Sequence, residues 1–430
     1  MKFIHTADIH LDSPLRGLAS YQNAPVEMLR TATRDAFTNL INEAVAEQVD
    51  FMVIAGDLYD GNWKDYNTGH FFVREMGRLN KAGIPVYLLY GNHDAESEMT
   101  KRLTLPSNVH LFDSRKPVTH RIDALRVALH GRSFKEPATV DNLAATYPDP
   151  VPGWLNIGVL HTALEGHTVH ARYAPCSLDE LSVKGYDYWA LGHVHEHAVL
   201  RQDPWVVFPG NLQGRDIGET GARGAVLVTA NEGDIVSVDR LIVDVMRWER
   251  VDVDVSTAHD LVAVVASVTR ALEALLARQS DHKPLSVRVT VSGRSAAHGD
   301  LFGMEHLLRE EVLAQAAALG AERLWIEKVK VDTTPAFDAA QIRERADAIA
   351  DLQALLEQVS ADEAFMRSLT EDLQQLTSKA PPELTVALPE FRAIRAGDVA
   401  AIVASVTPAL LAQLAQLAPT TPTTPTPPTR

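Results

Sequence analysis

A chain of 430 residues is too long for one ordinary core, so two or three domains are expected. Apolar residues make up 46%, enough for globular cores, and no run nears the roughly 18–20 apolar residues that span a bilayer. A formal charge of −16 argues against a protein that coats nucleic acid by bulk electrostatics, while local basic patches or a basic partner stay compatible with DNA.

The single Cys176 rules out an internal disulfide and fits a reducing compartment. Met1-Lys2-Phe3-Ile4 leads straight into a strand with no signal-like apolar region, so a cytoplasmic chain with no membrane contact is expected. Residues 2–8 read as that strand, ending in the polar loop Asp8-Ile9-His10-Leu11-Asp12-Ser13. Helical periodicity follows over 27–48, through Leu29, Ala36, Phe37, Leu40, Ile41, Ala44 and Val45. Phe51-Met52-Val53-Ile54-Ala55 is continuously apolar, as a strand covered on both faces is, and breaks at Gly56-Asp57. A second helix at about 69–82 leads to the strand 84–90 and then to Gly91-Asn92-His93-Asp94, where the glycine is expected to allow a sharp turn. This β-α-β-α-β order predicts a layered α/β domain with its chemistry at the strand C-termini.

Further strands are predicted at 109–112, 118–122, 126–130, 156–160 and 186–191, the last two delivering His161 and Gly192-His193-Val194-His195. Segments 205–209 and 225–229 read as late strands of a second sheet, joined by a Gly-rich loop. The expected architecture is a sandwich of two sheets flanked by helices over residues 1–245. A second β-α-β-α-β module is expected over 246–335, a helical region over 336–418 and a disordered Pro/Thr tail over 419–430.

Five loops, each at the end of an apolar strand, carry metal-type side chains: Asp8 with His10, Asp57, Asn92 with His93, His161, and His193 with His195. Two ions about 3.5–4 Å apart need a bridging carboxylate and enough N/O ligands to leave positions open for water and substrate. Two residues apart in an extended segment can face one ion, which makes Asp-x-His and His-x-His suitable, and Asp57 lies between the groups as a bridge would. Imidazole, carboxylate and amide without thiolate suit Mn²⁺, Fe²⁺ or Zn²⁺. His5, His110, His120, His130 and His306 fall inside predicted strands or helices, where packing explains them. His167, His170 and His197 lie near the site in sequence.

In this order, Asp-x-His, Gly-Asp, Gly-Asn-His-Asp, a strand-end His and Gly-His-x-His resemble the calcineurin-like metallophosphoesterase superfamily over roughly residues 1–245. The stretches His5 to Ser13, Ala55 to Asp60 and Pro209 to Arg215 are similar to its bacterial DNA-repair exonuclease branch, with its SbcD-type and YhaO-type members. Arg172 to Cys176 and Tyr186 to His195 are closest to the YhaO type. The resemblance implies a four-layer metallophosphoesterase sandwich with a small α/β cap. It implies one ion held by Asp8, His10, Asp57 and His195 and another by Asp57, Asn92, His161 and His193. It also implies His93 as the catalytic residue with Asp94 orienting it. Where archaeal and eukaryotic relatives carry a second functional His, this chain has Asp60, as SbcD-like bacterial members do.

Together these features predict two-metal hydrolysis of the DNA backbone, most plainly with Mn²⁺. The resemblance further implies an SMC-like coiled-coil ATPase partner of the SbcC/YhaN type, docked on helices C-terminal to the cap, and leaves dimerisation open. The rival readings are a phosphoesterase for nucleotides or other small phosphodiesters and a scaffold that mainly recruits the ATPase. No Walker-type phosphate loop and no Gly-x-Ser-x-Gly elbow occurs, so ATP dependence would come from another protein.

Overall fold

The computed structural model describes residues 1–15, 25–61, 65–96, 103–164, 173–336, 348–359, 362–381 and 389–417. The chain divides into two compact units, Met1–Glu249 with Asp281–Ser286 and Arg250–Ser280 with Val287–Arg430.

The first unit is built on strands of which the central ones are buried on both faces. In chain order they are β1 (Lys2–Thr6), β2 (Phe51–Ala55), β3 (Val86–Leu89), β4 (Val109–Leu111), β5 (Val118–Ile122), β6 (Val127–Gly131), β7 (Leu155–His161), β8 (Tyr188–Gly192), β9 (Ala198–Gln202), β10 (Trp205–Phe208), β11 (Gly224–Asn231) and β12 (Asp234–Ile242). They form two six-stranded sheets, ordered β12-β11-β1-β2-β3-β4 and β5-β6-β7-β8-β10-β9. β1 to β4 run parallel in the first sheet, and β6, β7, β8 and β10 run parallel in the second.

β2 shows why its sequence is uninterrupted. Met52 and Ile54 pack under helices α1 (Val26–Ala46) and α2 (Tyr66–Lys81), against Phe37, Leu40, Phe72 and Met76. Phe51, Val53 and Ala55 point the other way, into a core shared with Leu129, Ile157, Tyr188 and Val207 of the second sheet. A strand between two packed layers has no polar face to show. The outer face of the second sheet is covered by Trp189, Tyr186, Leu160 and Phe208 together with Leu181 of the short helix α4 (Leu178–Val183), and α3 is the single turn Asn92–Glu96. Helix layer, sheet, sheet and outer cover make four layers.

One expectation fails here. The segments 205–209 and 225–229 do not share a sheet: β10 joins the second, while β11 pairs antiparallel with β1 in the first. Both are apolar on both faces, so composition could not choose between two equally buried sheets. The loop between them therefore crosses from one sheet to the other.

The second unit contains most of the sheet β13 (Arg247–Asp254), β14 (Leu285–Ser295) and β15 (Leu324–Pro335), in that order, with helices α5 (Leu261–Arg278), α6 (His298–Leu301) and α7 (Glu305–Gly320). Val264, Val268 and Leu272 of α5 and Leu308, Val312 and Ala316 of α7 are buried at the 3–4 residue spacing of one helix face. Among the described residues four more helices follow: α8 (Ala348–Val359), α9 (Glu363–Ser378), α10 (Pro389–Ala396) and α11 (Val399–Leu417). α11 packs on α6, α8 and β15, so these helices belong to the same unit as the cap-like sheet. The expected disordered tail, 419–430, lies outside the described residues, as do His167 and His170. No helix among the described residues is long and apolar enough to cross a membrane.

Candidate metal centre

Parallel strands end on one edge, and the loops leaving β1, β2, β3, β7 and β8 meet there. The first two run side by side: the amides of Asp8, His10 and Leu11 donate to the carbonyls of Gly56, Asp57 and Leu58 at 2.9–3.1 Å. Their backbone is not extended. Asp8, His10, Asp57 and His193 all have positive φ, at 50°, 45°, 53° and 98°. A side chain in the left-handed region costs about 1–3 kcal/mol, and four such residues in one site mark backbone strained for function.

The side chains gather into groups whose ligand atoms lie within 4.8 Å of one another: Asp8, His10 and His195; Asp57, His161 and His193; and His10, Asp60 and His93. Asp57 links the first two, its Oδ2 lying 3.4 Å from His161 Nε2 and 3.9 Å from His10 Nε2. Asn92 Oδ1 stands 3.0 Å from His161 Nε2. The two rings of His193-Val194-His195 go to different groups. They follow the end of β8 rather than lying in it, so strand alternation does not apply and the expected shared face is not formed.

Proton bookkeeping shows that the residues suit cations. His161 Nδ1 lies 2.9 Å from the Ala55 carbonyl and His195 Nδ1 lies 2.7 Å from a Glu219 oxygen. Both partners only accept, so each ring keeps a hydrogen on Nδ1 and Nε2 is the nitrogen that faces inward, free to give up any proton to a cation. His195 Nε2 then faces His10 Nε2 at 3.2 Å and Asp8 Oδ1 at 3.7 Å, while His161 Nε2 faces the oxygens of Asn92 and Asp57. Acceptor atoms converging in two buried groups require positive charge between them.

The pKa directions say the same. Burial alone would lower His161, but the Asp57 and Asp8 carboxylates prevail and push it up to about 9, so a proton stands where a cation fits. Burial resists ionisation of Asp57, yet the His161, His10 and His93 rings hold its carboxyl well below the usual range. Asp8 is raised, chiefly by burial. His10 is pushed down to about 3 by burial and by the charge of Arg215.

His93 sits at the open edge, its side chain 38% exposed, with its amide donating to Asp57 Oδ1 at 3.0 Å. The group beside its ring is Asp60, whose Oδ1 lies 3.6 Å from His93 Nδ1 and 3.5 Å from His10 Nδ1. Ser13 Oγ donates to the other oxygen at 2.9 Å, and the His10 ring heads the influences that draw Asp60 below the usual carboxylate range. Asp94, expected to orient His93, is buried in the same loop. Its carboxylate accepts the amides of Leu58, Tyr59 and Gly91 at 3.2, 3.0 and 3.0 Å, and so fastens the Asp57 loop to the His93 loop. Burial and Asp57 push it up to about 6.

The glycine of this tetrapeptide also differs from expectation. Gly91 has no positive φ. A Cβ there would lie 2.3 Å from Asp57 Oδ1, so the position is kept small by space rather than by a turn.

Sequence reasoning missed Glu219 and gave Asn211 and Arg215 no role beside His195, because a contact across 24 residues leaves no spacing signal. Of the other histidines, His5 is core, bonded to Tyr188 Oη and the Leu191 carbonyl at 3.0 Å each, and His130 is held by Thr119 and Asn156. His110 stacks on Tyr87, and His120 lies tilted against the same ring. His197 is half-buried and bonded to the Phe208 backbone, whereas His306 lies exposed beside Glu310 rather than packed.

Known proteins share this arrangement of motifs. Residues 1–197 match the calcineurin-like phosphoesterase family, and residues 248–334 match the middle domain of the metallophosphoesterase YhaO. YhaO of Bacillus subtilis strain 168, itself uncharacterized, is 36% identical over 297 residues, spanning 68% of this chain and 72% of that one. The DNA double-strand break repair protein Mre11 of Methanopyrus kandleri is 30% identical over 288 residues, 58% of each chain. Mre11 of Sulfurisphaera tokodaii is 25% identical over 258 residues, 57% of this chain and 64% of that one. The match thus spans less than two thirds of either archaeal protein. A dimetal phosphatase from Danio rerio overlays 56% of this chain and 97% of its own at 11% identity and a TM-score of 0.35. With a YhaO relative matched over most of its length and the family's site residues gathered at one strand edge, the chain belongs to the calcineurin-like metallophosphoesterases, hydrolases of phosphoesters that use divalent metals.

Proposed function

We propose that this protein is a metal-dependent DNA phosphodiesterase, an exonuclease of DNA repair that uses two ions, Mn²⁺ by preference. The observation that carries the reading is the pair of ligand groups joined through Asp57 Oδ2, with His93 standing at their exposed edge. The names of the archaeal relatives, double-strand break repair proteins, support DNA as substrate. Asp8, His10, Asp57 and His195 would hold one ion, and Asp57, Asn92, His161 and His193 the other.

When bound, such ions supply water of lowered pKa for in-line attack and neutralise charge on the phosphate oxygens. The chain's own residues handle the rest. Asp60 beside His93 Nδ1 favours the tautomer with its hydrogen there, and in the protonated ring Nε2 carries the proton for the leaving oxygen. Asp94 keeps the His93 and Asp57 loops in register through three amides. An SMC-like ATPase is the proposed partner, docking on the C-terminal helices, where Leu355, Phe365 and Leu376 are exposed.

The test is incubation with linear duplex DNA, single-stranded DNA and a bis-aryl phosphodiester, in Mn²⁺ and in EDTA. Mn²⁺-dependent shortening of DNA is the expected result. Turnover of the small diester with DNA untouched would move the function to small phosphodiesters, and no turnover on any substrate would leave the scaffold reading.

A further inference from the structure

We propose that Glu219 is the positioning residue of one ion site: it sets the tautomer and pitch of His195, and the loop from Pro209 to Glu219 is its mount. The inference rests on the two-ion reading above. Glu219 Oε1 lies 2.7 Å from His195 Nδ1. Arg215 also approaches that nitrogen, at 3.1 Å, but a carboxylate can only accept, so the ring hydrogen points at Glu219 and Nε2 is left bare toward His10 and Asp8. A ligand imidazole backed by a carboxylate is held in one orientation and donates more strongly to a cation.

Glu219 is itself fixed. Its Oε2 accepts the Arg215 amide and Asn211 Nδ2, both at 2.8 Å, and its Oε1 accepts the Arg215 guanidinium at 3.0 Å. The guanidinium offsets the carboxylate, so the brace adds no net charge to a centre that already holds Asp8 and Asp57. The same loop grips the backbone of His195. The Asn211 amide donates to the His195 carbonyl at 3.2 Å, and the Arg223 guanidinium donates to the same oxygen. Gly210 allows this approach, with φ at +78° and a site where a Cβ would lie 2.9 Å from the His195 carbonyl oxygen. The stretch Pro209 to Arg215, which in the sequence only marked a branch of the family, thus has a physical task.

Among the described residues His161, on the other side of the centre, is backed differently. Its Nδ1 bonds a backbone carbonyl, that of Ala55, which no substitution removes. Glu219 should therefore act on one ion and not on the other.

Mn²⁺ titrated into the full-length protein by calorimetry, with electron paramagnetic resonance on the same samples, tests this. The wild type should bind two ions and show a spin-coupled signal. Glu219→Gln should bind one ion about 10–100-fold more weakly and the other unchanged, so that an isolated Mn²⁺ signal replaces the coupled one at intermediate loading. Glu219→Asp, which keeps the charge but shortens the reach, should lose less, and it carries the test if the Gln variant does not fold by circular dichroism. Unchanged affinity at both sites, or equal loss at both, would overturn the proposal. Fewer than two ions in the wild type would overturn the two-ion reading itself, before any substitution is compared.

Discussion

The two halves of the centre are supported in different ways. The His161 half is buried and built by backbone: its ring takes its orientation from the Ala55 carbonyl and lies against Gly56, Gly91 and Gly192, where an added Cβ would come within 2.4, 2.9 and 2.9 Å of it. The His195 half is partly exposed and built by side chains, Glu219, Arg215 and Asn211. Support from backbone appears in a sequence as glycine beside the ligand, as in Gly56-Asp57, Gly91-Asn92 and Gly192-His193. Support from distant side chains leaves no such trace.

The largest effect should come from the residue common to both halves. Asp57→Asn keeps shape and removes charge from the oxygen that faces both groups. Affinity for both ions should fall by more than the roughly 10–100-fold expected of a supporting residue, and turnover should drop to background. If calorimetry showed one ion bound at wild-type strength, Asp57 would not be the bridge. His93→Ala lies outside both halves and should retain two ions while losing about 10²–10⁴ in turnover of a phosphodiester. Loss of an ion together with activity would instead make His93 a ligand.

A pH series separates the halves without mutation. Free of metal, His161 sits at about 9, so below that pH an ion entering its half must expel a proton. Affinity there should climb about tenfold per pH unit from 7 to 9 and then level off. His10, pushed down to about 3, holds no proton in that range and adds no such slope to the other half. Calorimetry in buffers of different ionisation enthalpy counts the protons. Equal slopes for both ions would erase the contrast.

This contrast also explains what could be read in advance. The apolar run of β2 and the gathering of Asp and His side chains at the strand ends were legible because burial on both faces and loop position follow from local residue type. The sheet that receives β11 was not, since both candidate sheets bury its two faces equally well. Strand alternation also failed for His193 and His195, because φ at His193 is 98° and the two rings part. The three amides that the Asp94 carboxylate accepts left no mark in the tetrapeptide, and neither did the place of Asp60, noted only as a departure from the archaeal pattern, beside His93.

Gly91→Ala probes the smallest effect and the most specific one. Gly91 has ordinary backbone angles, so alanine adds no conformational strain, only a methyl 2.3 Å from Asp57 Oδ1 and 2.9 Å from His161 Cε1. Something must shift, and the neighbours are two ligands and the Asp57 amide, at 2.8 Å, rather than a flexible side chain. Overpacking of this kind costs about 1–3 kcal/mol, a fall of roughly 2–4 °C in melting temperature per kcal/mol for a unit of this size. The ion of the His161 half should weaken, while His195, mounted on its own side-chain brace, keeps its orientation. Wild-type stability in EDTA with wild-type affinity for both ions would mean that the His161 half has room to spare, and the glycines around it would need another reason.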